Sequence, residues 1–173
     1  MNKFESQRAK LRRFTLDDEE HMRLLESDPE IMRYTPSKVP QTAEQTKEKL
    51  ATLVATQKVD DKFGIWAAEE KSTRNFIGWF MLREGDLPHP ELGFMIIKDQ
   101  WGKGFATEIS EAIVQYGMVD LNLSGISART TVDNVRSIRV LEKVGFKFTS
   151  TIQVPDKITS VMIDLKVFEL KPF

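Results

Sequence analysis

The sequence predicts a mixed α/β domain: a central, mostly antiparallel sheet of about seven strands flanked by four helices, in a single domain over residues 1–173. Three observations predict it. The segments 63–68 and 76–83 read as strands, and the polar run 69–75 between them reads as a hairpin connection. The run Leu92-Gly93-Phe94-Met95-Ile96-Ile97 is almost wholly apolar, as in a strand buried on both faces near the centre of a sheet. A helical pattern over 105–119 follows that strand, and a further strand follows the helix. Such a crossover demands a parallel pair inside an otherwise antiparallel sheet.

The elements follow in order. Residues 7–14 alternate, with Ala9, Leu11 and Arg13 opposed to Lys10, Arg12 and Phe14, and form a first strand. Thr15 caps a helix, with Asp18 as its capping-box partner. That helix carries Leu16, Met22, Leu24 and Leu25 and stops near Asp28-Pro29. A short turn over 30–34 leads to Pro36 and Pro40. Thr42, with Gln45 three residues on, opens a second helix whose apolar stripe is Leu50, Leu53 and Val54. These two helices form either a movable flap over a site or a cover for a sheet edge.

After the hairpin comes the loop 84–90 and then the apolar strand 91–97. The helix 105–119 turns Phe105, Ile109, Ala112, Ile113 and Tyr116 inward, and 122–125 ends it. A strand over 126–132 leads to a helix over 134–144, with Ile138, Leu141 and Val144 inside and Gly145 as its C′ residue. Strands over 146–152 and 160–169 close the chain. In the last, Val161, Ile163, Leu165 and Val167 face one way, and Met162, Asp164, Lys166 and Phe168 the other.

Composition narrows the function classes. Hydrophobic residues make up 40% and charged residues 29%, as in an ordinary globular protein. A net charge of −1 removes the electrostatic footprint of a nucleic-acid binder. The absence of cysteine excludes disulfides, thiolate catalysis and Cys-based zinc sites. Two histidines, His21 and His89, are too few for a His-rich metal site. No apolar run approaches the ~20 residues of a membrane span, and the basic stretch 1–13 lacks a signal-peptide core. The expectation is a cytoplasmic protein without metal, nucleic-acid or membrane partner, as a monomer or homodimer.

The stretch Asp99-Gln100-Trp101-Gly102-Lys103-Gly104-Phe105-Ala106-Thr107 joins the apolar strand to a helix start. Two glycines allow close backbone approach, and the first helical amides point outward with the positive end of the helix dipole. The stretch is thus an anion site or a plain strand-to-helix turn. A nucleotide P-loop is excluded because no G-x-x-x-x-G-K-[ST] run exists. The dinucleotide pattern fails because Thr107 stands where its third glycine belongs.

Three stretches resemble the GNAT superfamily of acyl-CoA-dependent N-acyltransferases, in its RimJ/RimL-type branch. The first is Lys10-Leu-Arg-Arg-Phe-Thr-Leu-Asp-Asp18 with Ser27-Asp-Pro-Glu-Ile-Met-Arg-Tyr34. The second is Trp101-Gly-Lys-Gly-Phe-Ala-Thr-Glu108, similar to that branch's pyrophosphate loop. The third is Asn134-Val-Arg-Ser-Ile-Arg-Val-Leu-Glu-Lys-Val-Gly-Phe146. Two positions depart from the general pattern. Trp101 stands where the superfamily has Arg or Gln, as is common in this branch. Leu141 replaces a tyrosine that in many members protonates the departing thiolate.

The resemblance implies a splayed parallel pair at the sheet centre and acetyl-CoA as co-substrate. The backbone of Trp101, Gly102, Lys103, Gly104, Phe105, Ala106 and Thr107 would hold its pyrophosphate. The pantetheine arm would lie in the gap against the backbone of Met95 and Ile96, with the Met95 N–H as oxyanion donor. Asn134 would hold a pantetheine amide or serve only as an N-cap. Ser137 would protonate the leaving thiolate or be an ordinary first-turn serine.

An alkylammonium with pKa ~10.4 must lose a proton before it attacks. Glu91 stands where relatives keep a glutamate acting through water; Glu84, Asp86 and His89 are further candidates. Tyr34, Trp66 and Trp79 line an acceptor pocket or pack the core. The implied reaction is direct acetyl transfer to a primary amine, of a protein N-terminus such as a ribosomal protein's or of a small molecule. The alternative is a non-catalytic acyl-CoA-binding module.

Overall fold

The computed structural model describes residues 5–35, 38–57, 62–156 and 160–172; Pro36 of the early connection lies outside them. The strands are β1 (Ala9–Arg12), β2 (Gly64–Glu70), β3 (Phe76–Arg83), β4 (Glu91–Ile96), β5 (Ile126–Thr131), β6 (Lys147–Pro155) and β7 (Met162–Leu170). The helices are α1 (Glu19–Glu26), α2 (Pro29–Met32), α3 (Ala43–Thr56), α4 (Phe105–Gln115) and α5 (Val135–Val144). The seven strands form one sheet in the order β1-β2-β3-β4-β5-β7-β6. Every pairing is antiparallel except β4 with β5.

Five α-helices are described where four were expected. The addition is α2, a single turn with Pro29 at its start. The Asp28 carboxylate caps it, accepting from Glu30 N at 2.8 Å. Both expected capping boxes stand. Thr15 N donates to Asp18 Oδ2 at 2.8 Å. Thr42 N donates to Gln45 Oε1 at 2.9 Å, and Gln45 N to Thr42 Oγ1 at 3.2 Å.

β1 is shorter than expected because Phe14 leaves the sheet and is buried among Met22, Leu25 and Leu50 of the early helices. That layer, α1 to α3, packs on one face of the sheet against Ala67 and Phe76, with Trp79 and Met95 beside them. The other face carries α4 and α5, where Phe105, Ile109, Ile113 and Leu141 meet Phe80, Leu92, Ala128 and Phe168. β7 lies between β5 and β6 and keeps the expected alternation, with Leu165 and Val167 buried on one face and Phe168 and Leu170 on the other.

The fully buried Phe105 and Ile109 each contribute about 1.5–3 kcal/mol by burial. They fix the start of α4 beneath the end of β4. A π-helical turn, Tyr116–Asp120, finishes the long helix expected there. Gly145 closes α5 at φ 105°, the left-handed conformation that favours glycine.

Candidate active site

The sheet opens at its centre. β4 pairs with β3 at six register positions and β5 pairs with β7 at six, but β4 and β5 meet only at Glu91 opposite Ser127. Ser127 N donates to the Pro90 carbonyl at 2.9 Å beside that pair. Beyond it the two parallel strands part toward their carboxyl ends. Unpaired strand backbone is a strong set of donors and acceptors awaiting a partner.

Pleat parity decides which backbone groups face the gap. Ile97 N donates to Ile77 O at 3.0 Å, so the pair Ile77–Ile97 is hydrogen-bonded across β3 and β4. Bonded and non-bonded pairs alternate in an antiparallel ladder. The pairs Trp79–Met95 and Met81–Gly93 are therefore bonded, and Leu92, Phe94 and Ile96 turn their backbone toward the gap. This corrects the expectation for Met95. Its N–H is directed to β3, and the gap-facing amide nearest the middle of β4 is that of Phe94. Ile96 also faces the gap, but its carbonyl already accepts from Trp101 Nε1 at 2.8 Å.

The mouth of the gap is formed by two helix starts. Gly102 at φ 75° and Gly104 at φ 85° carry the chain from β4 into α4, and Gly104 is the N-cap. No heavy atom lies within 4 Å of where a Cβ on Gly102 would stand. The Phe105 side chain is buried, so only its backbone is presented here. Ala106 and Thr107 lie in the same first turn, half-buried. Lys103 is exposed; it borders an open hollow of about 450 Å³ that also touches His21 and Leu24 of α1, rather than the gap.

α5 begins at the carboxyl end of β5. Asn134 caps it, with Oδ1 accepting from Ser137 N at 3.2 Å. The cap reading is thus realised, and the Asn134 Nδ2 donor has no partner among the described residues. Ser137 is half-buried in the first turn. Leu141, where many relatives keep a tyrosine, is buried in the core. Arg136, also in the first turn, lies over the Trp101 ring at 4.5 Å and puts a cation at the mouth.

At the closed end of the gap, Glu91 is 5% exposed. Its Oε1 accepts from Arg129 Nε at 3.1 Å, and Arg129 Nη1 donates to Asp86 Oδ2 at 3.0 Å. Burial pushes the Glu91 carboxyl above its ordinary value, against the pull of Arg129 and Arg83. The hydrogen bond from Arg129 lowers that of the exposed Asp86. His89 donates its backbone N–H to Ser127 Oγ at 3.3 Å, and its ring lies against Gly125. Glu84 is exposed.

The aromatic candidates separate. Trp79 stands opposite Met95 in the register, half-buried on the face covered by α1 to α3. Tyr34 follows α2, with the Arg33 guanidinium over its ring at 4.9 Å. Trp66 packs in the core on the other face and is 2% exposed, so it offers no surface to an acceptor. Arg129 and Arg136 were not singled out from sequence. Arg129 meets Glu91 across 38 residues of chain, a separation that leaves no local pattern to read. Among the described residues no cluster of three His, Asp or Glu could hold a metal, and no helix is long and apolar enough to cross a membrane.

Comparisons with known proteins agree with this geometry. A family model described as an acetyltransferase (GNAT) domain matches residues 8–147. The chain is 34% identical over 146 residues to YoaA of Bacillus subtilis (strain 168), named as an uncharacterized N-acetyltransferase; the match covers 83% of this chain and 81% of that one. Two solved structures share the fold. Spermidine N-acetyltransferase from Vibrio cholerae, in complex with CoA and spermine, has a TM-score of 0.75 at 22% identity over 95% of each chain. RimL, the ribosomal L7/L12 alpha-N-protein acetyltransferase in complex with coenzyme A, has a TM-score of 0.77 at 11% identity, over 96% of this chain and 95% of that one.

Proposed function

The chain belongs to the GNAT acetyltransferase family and is an acetyl-CoA-dependent N-acetyltransferase; from that premise we propose which residues carry the transfer and which amines it takes. The observation that carries the proposal is the gap between β4 and β5, with the free first-turn amides of α4 at its mouth. Amides from Gly102 to Thr107 hold the pyrophosphate of acetyl-CoA; the Trp101 N–H, expected among them, already donates to the Lys98 carbonyl at 3.0 Å. The pantetheine arm runs down the gap as an extra strand, satisfied by the backbone of Phe94 and the Ile96 N–H. The Asn134 Nδ2 donates to a pantetheine carbonyl, its Oδ1 being spent on the helix cap.

The thioester then lies near the middle of β4, where the Phe94 N–H donates to the carbonyl oxygen as it becomes an oxyanion. Glu91 is three residues back along the strand, about 10 Å away at the usual rise. That distance suits proton transfer through water from the incoming ammonium. The neutral nitrogen attacks the carbonyl carbon, a C–N bond forms, and the C–S bond breaks with its electron pair on sulfur. The proton that the nitrogen sheds as the amide forms passes by way of Ser137 to the thiolate. A carboxyl with a raised pKa is a better base for this work than an ordinary one.

The acceptor is a primary amine, at a protein N-terminus or on a small molecule. The folds shared with RimL and with the spermidine enzyme support that range. The Trp101 form of the loop and the likeness to RimL support the RimJ/RimL-type branch. Tyr34 and Trp79, at the helical layer over the same face as Glu91, line the acceptor side. A thiol-release assay with acetyl-CoA and a panel of N-terminal peptides, polyamines and amino-acid amines tests the proposal. Release that depends on one amine class supports it. Tight CoA binding with no release from any amine would favour a non-catalytic acyl-CoA-binding module.

A further inference from the structure

The glycine turn is braced from behind by the segment before β1. Glu108 occupies the first turn of α4, where its negative charge would oppose an anion held by the neighbouring amides. It is turned away. Its Oε1 accepts from Ser6 Oγ at 2.6 Å and from Arg8 N at 2.7 Å, and its Oε2 pairs with Arg8 Nε at 2.7 Å. Burial works against its ionisation, yet the bonds from Ser6 and Arg8 hold the carboxyl below its ordinary value.

The same guanidinium reaches the turn itself. Arg8 Nη2 donates to the Lys103 carbonyl at 3.0 Å, between the two left-handed glycines. It lies over the Phe105 ring at 4.4 Å, and 3.4 Å from where a Cβ on Gly104 would stand. The segment is anchored in turn, since Lys71 N donates to Arg8 O at 2.8 Å and Lys71 Nζ to Ser6 O at 2.7 Å.

We propose that Arg8 is a positioning residue for the acetyl-CoA pyrophosphate. It neutralises Glu108 and holds the Lys103 carbonyl back, so that amides and not carbonyls of the turn face the phosphates. This rests on the assignment of residues 102–107 to the pyrophosphate.

The test compares two acetyl donors. Arg8→Ala raises KM for acetyl-CoA about tenfold, while kcat/KM for S-acetyl-pantetheine, which has no pyrophosphate, stays at the wild-type value. A general structural role would lower both. Adding Glu108→Gln to Arg8→Ala recovers part of the acetyl-CoA KM, because the repelling carboxylate is gone. Arg8→Lys, which keeps the charge but not the three-way bonding, falls between wild type and Arg8→Ala and carries the test if Arg8→Ala does not fold. Equal losses with both donors, or no loss with acetyl-CoA, overturn the proposal. CoA affinity lowered by Gly104→Asp beside an unchanged Arg8→Ala removes Arg8 alone. CoA affinity unchanged by Gly104→Asp removes the loop assignment on which it stands.

Discussion

Arg129 Nε donates to the Glu91 carboxylate at 3.1 Å, so the acid at the closed end of the β4–β5 gap is buried beside a cation. Two opposed effects act on it. Burial raises its pKa and is the larger; Arg129 and Arg83 lower it. In the proposed role of base Glu91 works as the carboxylate, so kcat/KM is expected to rise as pH climbs through its pKa. Removing the cation with Arg129→Met leaves burial less opposed and moves that rising limb to higher pH. Glu91→Gln loses the limb and lowers turnover about 10²-fold or more. pH–rate profiles of the three proteins check this; an Arg129→Met limb at or below the wild-type position would contradict it.

Gly104 sits at φ 85°, where an L residue is strained. Gly104→Asp adds that strain and a negative charge at the anion site, and weakens CoA binding at least tenfold. Isothermal titration calorimetry reads it directly. Unchanged affinity would remove the loop from the site.

Ser137 stands one turn into α5, and Leu141 fills the tyrosine position with a buried side chain. Ser137→Ala lowers kcat about tenfold or more and leaves KM for acetyl-CoA near the wild-type value. Equal turnover by the two proteins would take Ser137 out of the proton path.

Asp18 ties the end of β1 to α1. It accepts from Arg12 Nη1 and Nη2, both at 2.7 Å, and from Thr15 N at 2.8 Å, and meets His21 Nδ1 at 3.0 Å. Burial opposes its charge, yet Arg12 and the other donors hold the carboxyl well below the usual carboxylate range. A depressed folded-state pKa stabilises fully above the unfolded value of ~3.9 and is lost as pH falls through the folded one. Asp18→Asn therefore costs about 1.5–3 kcal/mol at neutral pH, and the deficit shrinks only below about pH 4. Urea denaturation across that range measures it; equal stability at neutral pH would show that the network contributes nothing.

These sites divide by how locally they are encoded. β3 was legible to the residue, and both capping boxes were legible because a cap and its partner lie three residues apart. α2 was not, since a four-residue turn is too short to show a period. The error over Met95 has a different origin. Which backbone groups of a strand face a neighbour depends on register, and register is set by pairing with β3, which no single strand's sequence carries. The Arg8–Glu108 and Arg129–Glu91 pairs span 100 and 38 residues and depend on the folded sheet. Trp66 and Trp79 look alike in sequence, one residue type on neighbouring strands, yet they enter opposite faces.

The central claim is that acetyl-CoA lies in the β4–β5 gap with its pyrophosphate on the turn into α4. Titrating isotope-labelled protein with CoA and following backbone amides by NMR tests it most directly. The predicted result is that the largest changes fall on Phe94, Ile96 and residues 102–107, with smaller ones at Asn134 and Ser137. Saturable binding that leaves those amides unmoved and shifts another surface would contradict it.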